Sequence, residues 1–298
     1  MFASGGNSTR LPGSHALALI LGVAALLLGC PSKKTGPESS TEVEKIDKLK
    51  TVMPPEPPVP AGFEDPPASA WEYSKDKELA GLKMHLRGAP LDAAKRVIVL
   101  FHGYGAEGDD LVPLSTVVNV GDQGAFVFPI APVELPRGGR AWFRRDRSNF
   151  GAAVTRAQEF VDALATKYPD SEMIVGGFSQ GAMLAVNLLE RTSTPTRAVI
   201  IWSPADLLIA PLTGNRTETA VFLSHGSSDQ VLPFLGANRL KSILEESGYQ
   251  VAWVPFAGRH AIPRSVIEQL NIFLDALPSA NTAAQTAPQA NSPPSNPE

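Results

Sequence analysis

The run Gly177-Phe178-Ser179-Gln180-Gly181 has the form G-x-S-x-G, in which a serine sits on a very tight turn between a strand and a helix. Glycines are needed two positions before and after it, because side chains there would strike the neighbouring strand and helix. The strain lifts the hydroxyl to the top of the sheet. The helix N-terminus behind it favours developing negative charge. Three fixed positions are a weak signal alone, so the assignment of Ser179 as a nucleophile depends on its partners.

A serine hydroxyl needs a general base, usually histidine. The chain has five histidines. His15 lies in the leader, His85 lies before the main apolar runs, and His102 precedes the serine. In elbow proteins the chain order is serine, acid, histidine, and His225 precedes the best acid. His260 remains, in Gly258-Arg259-His260-Ala261-Ile262-Pro263. The acid should follow an intermediate strand and hold the imidazole in one tautomer. Asp229 does so in Ser224-His225-Gly226-Ser227-Ser228-Asp229. Asp206, after the preceding apolar run, is its rival; capping a short turn would be its other role.

A second glycine-rich stretch, His102-Gly103-Tyr104-Gly105, follows the apolar run at 97–101. Glycines let backbone approach a ligand, and the N–H groups of Tyr104 and Gln180 are the expected oxyanion donors. Each such donor is typically worth about 3 kcal/mol of transition-state stabilisation. His102 is expected to hold this loop by hydrogen bonding. It has no partner cluster for a metal, and no metal site is expected.

These residues must be held by a scaffold. Short apolar runs rich in Val and Ile occur at 97–101, 125–128, 173–175, 198–202, 220–223 and 251–254, a pattern that suits strands buried on both faces of a parallel sheet. Between them, Phe150, Val154, Ala157, Val161, Leu164 and Tyr168 repeat at helical spacing, with Ser148 or Asn149 as N-cap. Pro233 and Pro263 are placed in the first turns of two further helices. Residues 79–86 are expected to add one antiparallel edge strand. The expectation is an α/β fold, a mostly parallel doubly wound sheet with helices on both faces in a single domain. In such sheets ligands bind outside the carboxyl ends of the strands, where each candidate residue falls.

Taken together, Phe101-His102-Gly103-Tyr104-Gly105, the elbow, the His225–Asp229 stretch with Gln230-Val231-Leu232-Pro233-Phe234, and Gly258-Arg259-His260 resemble the phospholipase/carboxylesterase family of α/β-hydrolases, which includes acyl-protein thioesterases. Arg140-Ala141-Trp142-Phe143 resembles that family's R-x-W-F/Y segment near the acyl site. The resemblance covers residues 80–277. It implies Ser179 as nucleophile, Asp229 as orienting acid, His260 as base, and Trp142 and Phe143 near the substrate. It further implies a small ester or lipid-like substrate and no cofactor. Two departures bear on substrate preference. Arg259 replaces the glycine usual before the histidine, and Arg144-Arg145-Asp146-Arg147 stands where the family commonly has an aspartate. The five arginines between 137 and 147 are either a solvated loop with local salt bridges or a seat for an anionic group such as a phosphate head.

The remaining residues set the context. Of 27 prolines, fifteen lie outside 71–277, so one core-forming block is expected between two segments that do not fold. Residues 1–30 carry an apolar run from 16 to 28 that is short for a membrane span and fits a secretory leader. They end in Leu27-Leu28-Gly29-Cys30. This run resembles the lipobox of bacterial lipoproteins, in which the cysteine is lipidated and becomes the new N-terminus; an ordinary signal peptide is the alternative. Residues 31–70 read as a Pro-rich tether and 278–298 as a disordered tail. The implied location is outside the cytoplasm, lipid-anchored to a bacterial membrane through Cys30 on the periplasmic or cell-surface side. A net charge of −4 gives no footprint for nucleic acid. One cysteine allows no intramolecular disulfide or Cys-based metal cage, and it leaves no thiol in the core to rival Ser179. The remaining alternatives are a lipid-anchored, non-catalytic binding protein on the same fold and a serine peptidase.

Overall fold

The computed structural model describes residues 74–277; the expected leader, Cys30, the tether and the tail lie outside the described residues. The strands are β1 (Ser74–Leu79), β2 (Leu82–Gly88), β3 (Arg96–Phe101), β4 (Gly124–Pro129), β5 (Val133–Glu134), β6 (Arg140–Ala141), β7 (Glu172–Phe178), β8 (Ala198–Trp202), β9 (Ala220–Gly226) and β10 (Val251–Phe256). The helices are α1 (Phe150–Lys167), α2 (Gln180–Leu188), α3 (Phe234–Glu246) and α4 (Arg264–Asp275). Eight strands make one sheet in the order β1-β2-β4-β3-β7-β8-β9-β10, and β5 pairs with β6 beside it. The pairs involving β2 are antiparallel; all others in the large sheet are parallel.

Strand geometry explains the unalternated apolar runs. Successive side chains point to opposite faces, so Val97, Val99 and Phe101 of β3 join Val175, Val199 and Ile201 in a core shared with α1, α2 and α3. Ile98 and Leu100 join Ile174, Ile200 and Trp202 on the other face, against Val266, Ile267 and Leu270 of α4. Both faces are buried, and both demand apolar residues. Helix α1 buries the stripe Val154, Ala157, Phe160, Val161 and Leu164.

Two local expectations need correction, and a third, the N-cap of α1, holds in position alone. Residues 79–86 do not form one strand: the chain reverses at Ala80-Gly81, both at positive φ, and makes the β1/β2 hairpin. Asn149 is the N-cap of α1, but its side chain makes no cap hydrogen bond; Asn149 Oδ1 instead accepts from the Arg144 N–H at 2.8 Å. Pro233 and Pro263 each occupy the cap position with extended ψ, 134° and 160°, so α3 and α4 begin one residue later.

The connections place the site. From β3 the chain passes to β4 on one side, then returns to β7 on the other. Adjacent strands whose connections diverge leave a crevice at their carboxyl ends, the usual ligand position in such sheets. The residues after β3 and β7 are Gly103-Tyr104 and Ser179.

Candidate active site

Ser179 is the single residue between the end of β7 and the start of α2, with φ 55° and ψ −113°. A Cβ at Gly177 would run into the backbone of Gly181, and one at Gly181 into the carbonyl of Phe101. The turn therefore excludes side chains at both positions, as the G-x-S-x-G spacing requires. The Ser179 N–H donates to the Trp202 carbonyl at 2.9 Å, which ties the elbow to β8.

The loop after β3 is fixed from several sides. His102 is 1% exposed; its Nδ1–H donates to the Gly103 carbonyl at 2.8 Å, and its Nε2 accepts from the Ala131 N–H at 3.0 Å. That pattern uses one neutral tautomer, and burial pushes His102 down to about 4. Gly105 donates to the Arg140 carbonyl and Arg140 to the Ala106 carbonyl, each at 2.8 Å. The Tyr104 N–H has no partner among the described residues, and the Gln180 N–H is among the donors that a helix start leaves free.

Gln180 contributes more than its backbone. Its side-chain Oε1 accepts from the Trp142 N–H at 2.9 Å, and its Nε2 donates to the Phe143 carbonyl at 2.7 Å. The amide thereby clamps the 142–143 segment to the elbow. Phe143 lines the cleft beside Ser179. Trp142, expected beside the substrate, does not: its indole N–H donates to the His102 carbonyl at 2.9 Å, and its ring meets Phe101 edge-on. The N–H of a buried indole needs a partner, and that partner turns Trp142 into a support for the loop.

Asp229 and His260 meet across the ends of β9 and β10. His260 Nδ1 lies 2.6 Å from Asp229 Oδ2, and Asp229 Oδ1 accepts from the N–H groups of Val231 (2.8 Å) and Leu232 (2.9 Å). The Asp229 side chain is fully buried. Burial alone would raise its pKa, but the Leu232 N–H, the His260 imidazole and the Val231 N–H outweigh it and hold the carboxyl below the ordinary range. The two loops are stitched by Ser227 N–H to the Phe256 carbonyl at 2.8 Å and Ser228 N–H to the Gly258 carbonyl at 2.9 Å. The His260 ring packs on Phe178, centroids 4.7 Å apart. Asp206, the rival acid, pairs with Arg239 at 2.7 Å.

A residue set aside in the sequence stands beside this pair. His225, fully buried at the end of β9, places Nε2 3.2 Å from Asp229 Oδ2 and 3.0 Å from the Leu232 carbonyl. Burial lowers its pKa, so the ring is neutral and Nε2–H is the donor. Its position four residues before Asp229 was the available signal.

Ser179, His260, Tyr104, Gln180 and Phe143 share one cleft of about 540 Å³. Among the described residues no group of three or more His, Cys, Asp or Glu side chains could hold a metal ion. An oriented imidazole, a hydroxyl on a strained turn and free backbone donors are the equipment of acyl transfer. Residues 88–277 match the family model described as phospholipase/carboxylesterase. The chain belongs to this family. Among its relatives is acyl-protein thioesterase 1 of Candida albicans, 26% identical over 188 residues, which cover 53% of this chain and 80% of the relative. The solved structure of esterase PE8 is 28% identical with a TM-score of 0.56, over 66% of this chain and 99% of that one. The Bacillus cereus carboxylesterase is 23% identical with a TM-score of 0.55, over 65% of this chain and 93% of that one. The fold is that of the α/β-hydrolases, and a member of the phospholipase/carboxylesterase family is a serine hydrolase of the esterase type.

Proposed function

We propose that the chain hydrolyses carboxylic esters or acyl thioesters through an acyl-enzyme on Ser179. The observation that carries this reading is the 2.6 Å contact between His260 Nδ1 and Asp229, made by a ring that lines the same cleft as Ser179. With Nδ1–H committed to Asp229, the lone pair of His260 is on Nε2. His260 takes the Ser179 proton as Oγ attacks the carbonyl carbon, and the N–H groups of Tyr104 and Gln180 receive the oxyanion. Collapse of the tetrahedral species expels the alcohol or thiol, protonated by His260. Water, deprotonated by the same ring, then releases the acid and restores Ser179. Asp229 stays ionised throughout, orienting the ring and balancing its transient charge.

The test is turnover of a short-chain p-nitrophenyl ester and labelling by a fluorophosphonate. Ser179→Ala should abolish labelling and lower turnover by at least about a thousandfold, since the nucleophile and its base act as a unit. Unchanged turnover would overturn the assignment, and an unlabelled wild type would favour a binding protein on the same fold. The name of the Candida relative makes acyl thioesters the first alternative substrate to try. For location, we propose that Cys30 carries a lipid anchor; labelled palmitate should enter the full chain and not a Cys30→Ser variant.

A further inference from the structure

The nucleophile's cleft is lined both by apolar side chains, Phe178, Met183, Val231 and Leu232 among them, and by two arginines, Arg145 and Arg147. Some surface arginines are paired, Arg140 with Glu134 at 2.9 Å and Arg239 with Asp206 at 2.7 Å. Arg145 and Arg147 have no carboxylate partner among the described residues. The guanidinium of Arg145 lies 4.7 Å from the ring centroid of Tyr104. A guanidinium held over a ring keeps its charge and N–H donors, which match an oxyacid bidentately. Asp146, the one acid in the run, is turned to the second residue after it: its Oδ1 accepts from the Ser148 N–H at 3.0 Å.

The run is also held in place relative to the chemistry. Gln180 fastens residues 142–143 to the elbow, and Asn149 Oδ1 takes the Arg144 N–H. The Arg147 N–H closes a turn onto the Arg144 carbonyl at 2.9 Å. Arg147 adopts φ 62°, a left-handed conformation that costs an L residue energy and is found disproportionately at functional sites. Two unneutralised guanidiniums on a fastened loop, in a cleft that apolar side chains also line, suit an amphiphile with one negative end.

We infer that the substrate carries an anionic oxyacid group, phosphate or carboxylate, which Arg145 and Arg147 bind while an apolar part lies along Phe178, Met183 and Leu232. This rests on the ester-hydrolase reading and names its substrate class. The anion could belong to the leaving alcohol or to the acyl group. Two matched pairs separate these sources: octanoyl glycerol phosphate against octanoyl glycerol, and the p-nitrophenyl monoester of octanedioic acid against p-nitrophenyl octanoate.

The quantity read is the ratio of kcat/KM, anionic over neutral, measured on the full-length protein. In the wild type it should exceed roughly tenfold for one pair, as expected for charge-assisted hydrogen bonds, and shrink as salt screens the exposed arginines. Arg145→Gln with Arg147→Gln should lower that ratio by about tenfold or more, whereas Arg191→Gln, an exposed arginine after α2, should leave it as in the wild type. Arg145→Glu with Arg147→Glu should turn the preference towards a choline ester. A wild-type ratio near one in both pairs, or a ratio untouched by the double variants, overturns the inference. No turnover of any of the four esters would instead overturn the hydrolase reading beneath it.

Discussion

His225 Nε2 stands 3.2 Å from Asp229 Oδ2, the oxygen that His260 Nδ1 approaches at 2.6 Å. The carboxylate therefore has four neighbouring donors: two backbone N–H groups on Oδ1 and two imidazoles on Oδ2. A neutral His225 shares its proton between Asp229 and the Leu232 carbonyl, fixing Asp229 without adding charge. Removing the donor leaves a buried anion one hydrogen bond short. His225→Phe should lower kcat by about tenfold, the size of one hydrogen bond to a charged group. His225→Gln, which can still donate, should recover most of it. Equal losses in the two variants would mean that His225 serves packing alone.

The Gln180 amide makes a second prediction. It satisfies two buried backbone groups on a segment 38 residues away in sequence, and Gln180→Ala strands both. Each unpaired buried group costs about 1–3 kcal/mol. Such a loss lowers the melting temperature of a domain this size by roughly 5–10 °C. If the 142–147 loop is freed as well, its order should fall with the same substitution, seen as faster amide exchange at Trp142 and Arg144. Unaltered exchange would show that other contacts hold the loop.

The backbone of Ser179 stores strain. At φ 55° and ψ −113°, a residue with a Cβ carries a penalty of about 1–3 kcal/mol, which glycine escapes. Glycine gives back roughly 0.5–1 kcal/mol in unfolded-chain entropy. Both Ser179→Ala and Ser179→Gly remove the hydroxyl, so their difference isolates the backbone. The glycine variant should be the more stable by about 1 kcal/mol in urea unfolding; a less stable glycine variant would show that the turn is relaxed.

The sheet was readable in sequence because β3, β7 and β8 bury both faces, and only continuous Val and Ile runs meet that demand. Ser179, Asp229 and His260 could be singled out because each follows such a run in a fixed chain order. The role of the Gln180 side chain was not readable, and that of His225 was signalled only by its position four residues before Asp229. Their partners are set by how two loops fold towards each other, and neither residue type announces a contact. The β1/β2 reversal was hidden for a different reason: Ala80 takes φ 48°, where composition would call for Asn or Gly. Trp142 lies next to Phe143 in a segment expected near the substrate, yet the need of its indole N–H for the His102 carbonyl turns it away from the cleft.

His102 gives the fold a dependence on pH. Burial first, against the Gly103 carbonyl that favours the cation, brings it down to about 4, whereas an unfolded histidine titrates near 6.5. Above that value both states are neutral, and its contribution to folding is fully present. As the pH falls from about 6.5 to about 4, the unfolded chain takes up a proton that the folded one refuses, and stability is lost. The depressed pKa of His225 acts in the same direction. The low-lying carboxyl of Asp229 acts only below the ordinary carboxylate range, so pH 5 separates the two kinds of group. His102 alone should make unfolding about 2 kcal/mol easier at pH 5 than at pH 7.5. Urea titrations at the two values measure this. His102→Gln should be less stable at pH 7.5, because it disturbs the bonds to Gly103 and Ala131, but should lose less on going to pH 5. An undiminished loss in that variant would assign the effect to other groups.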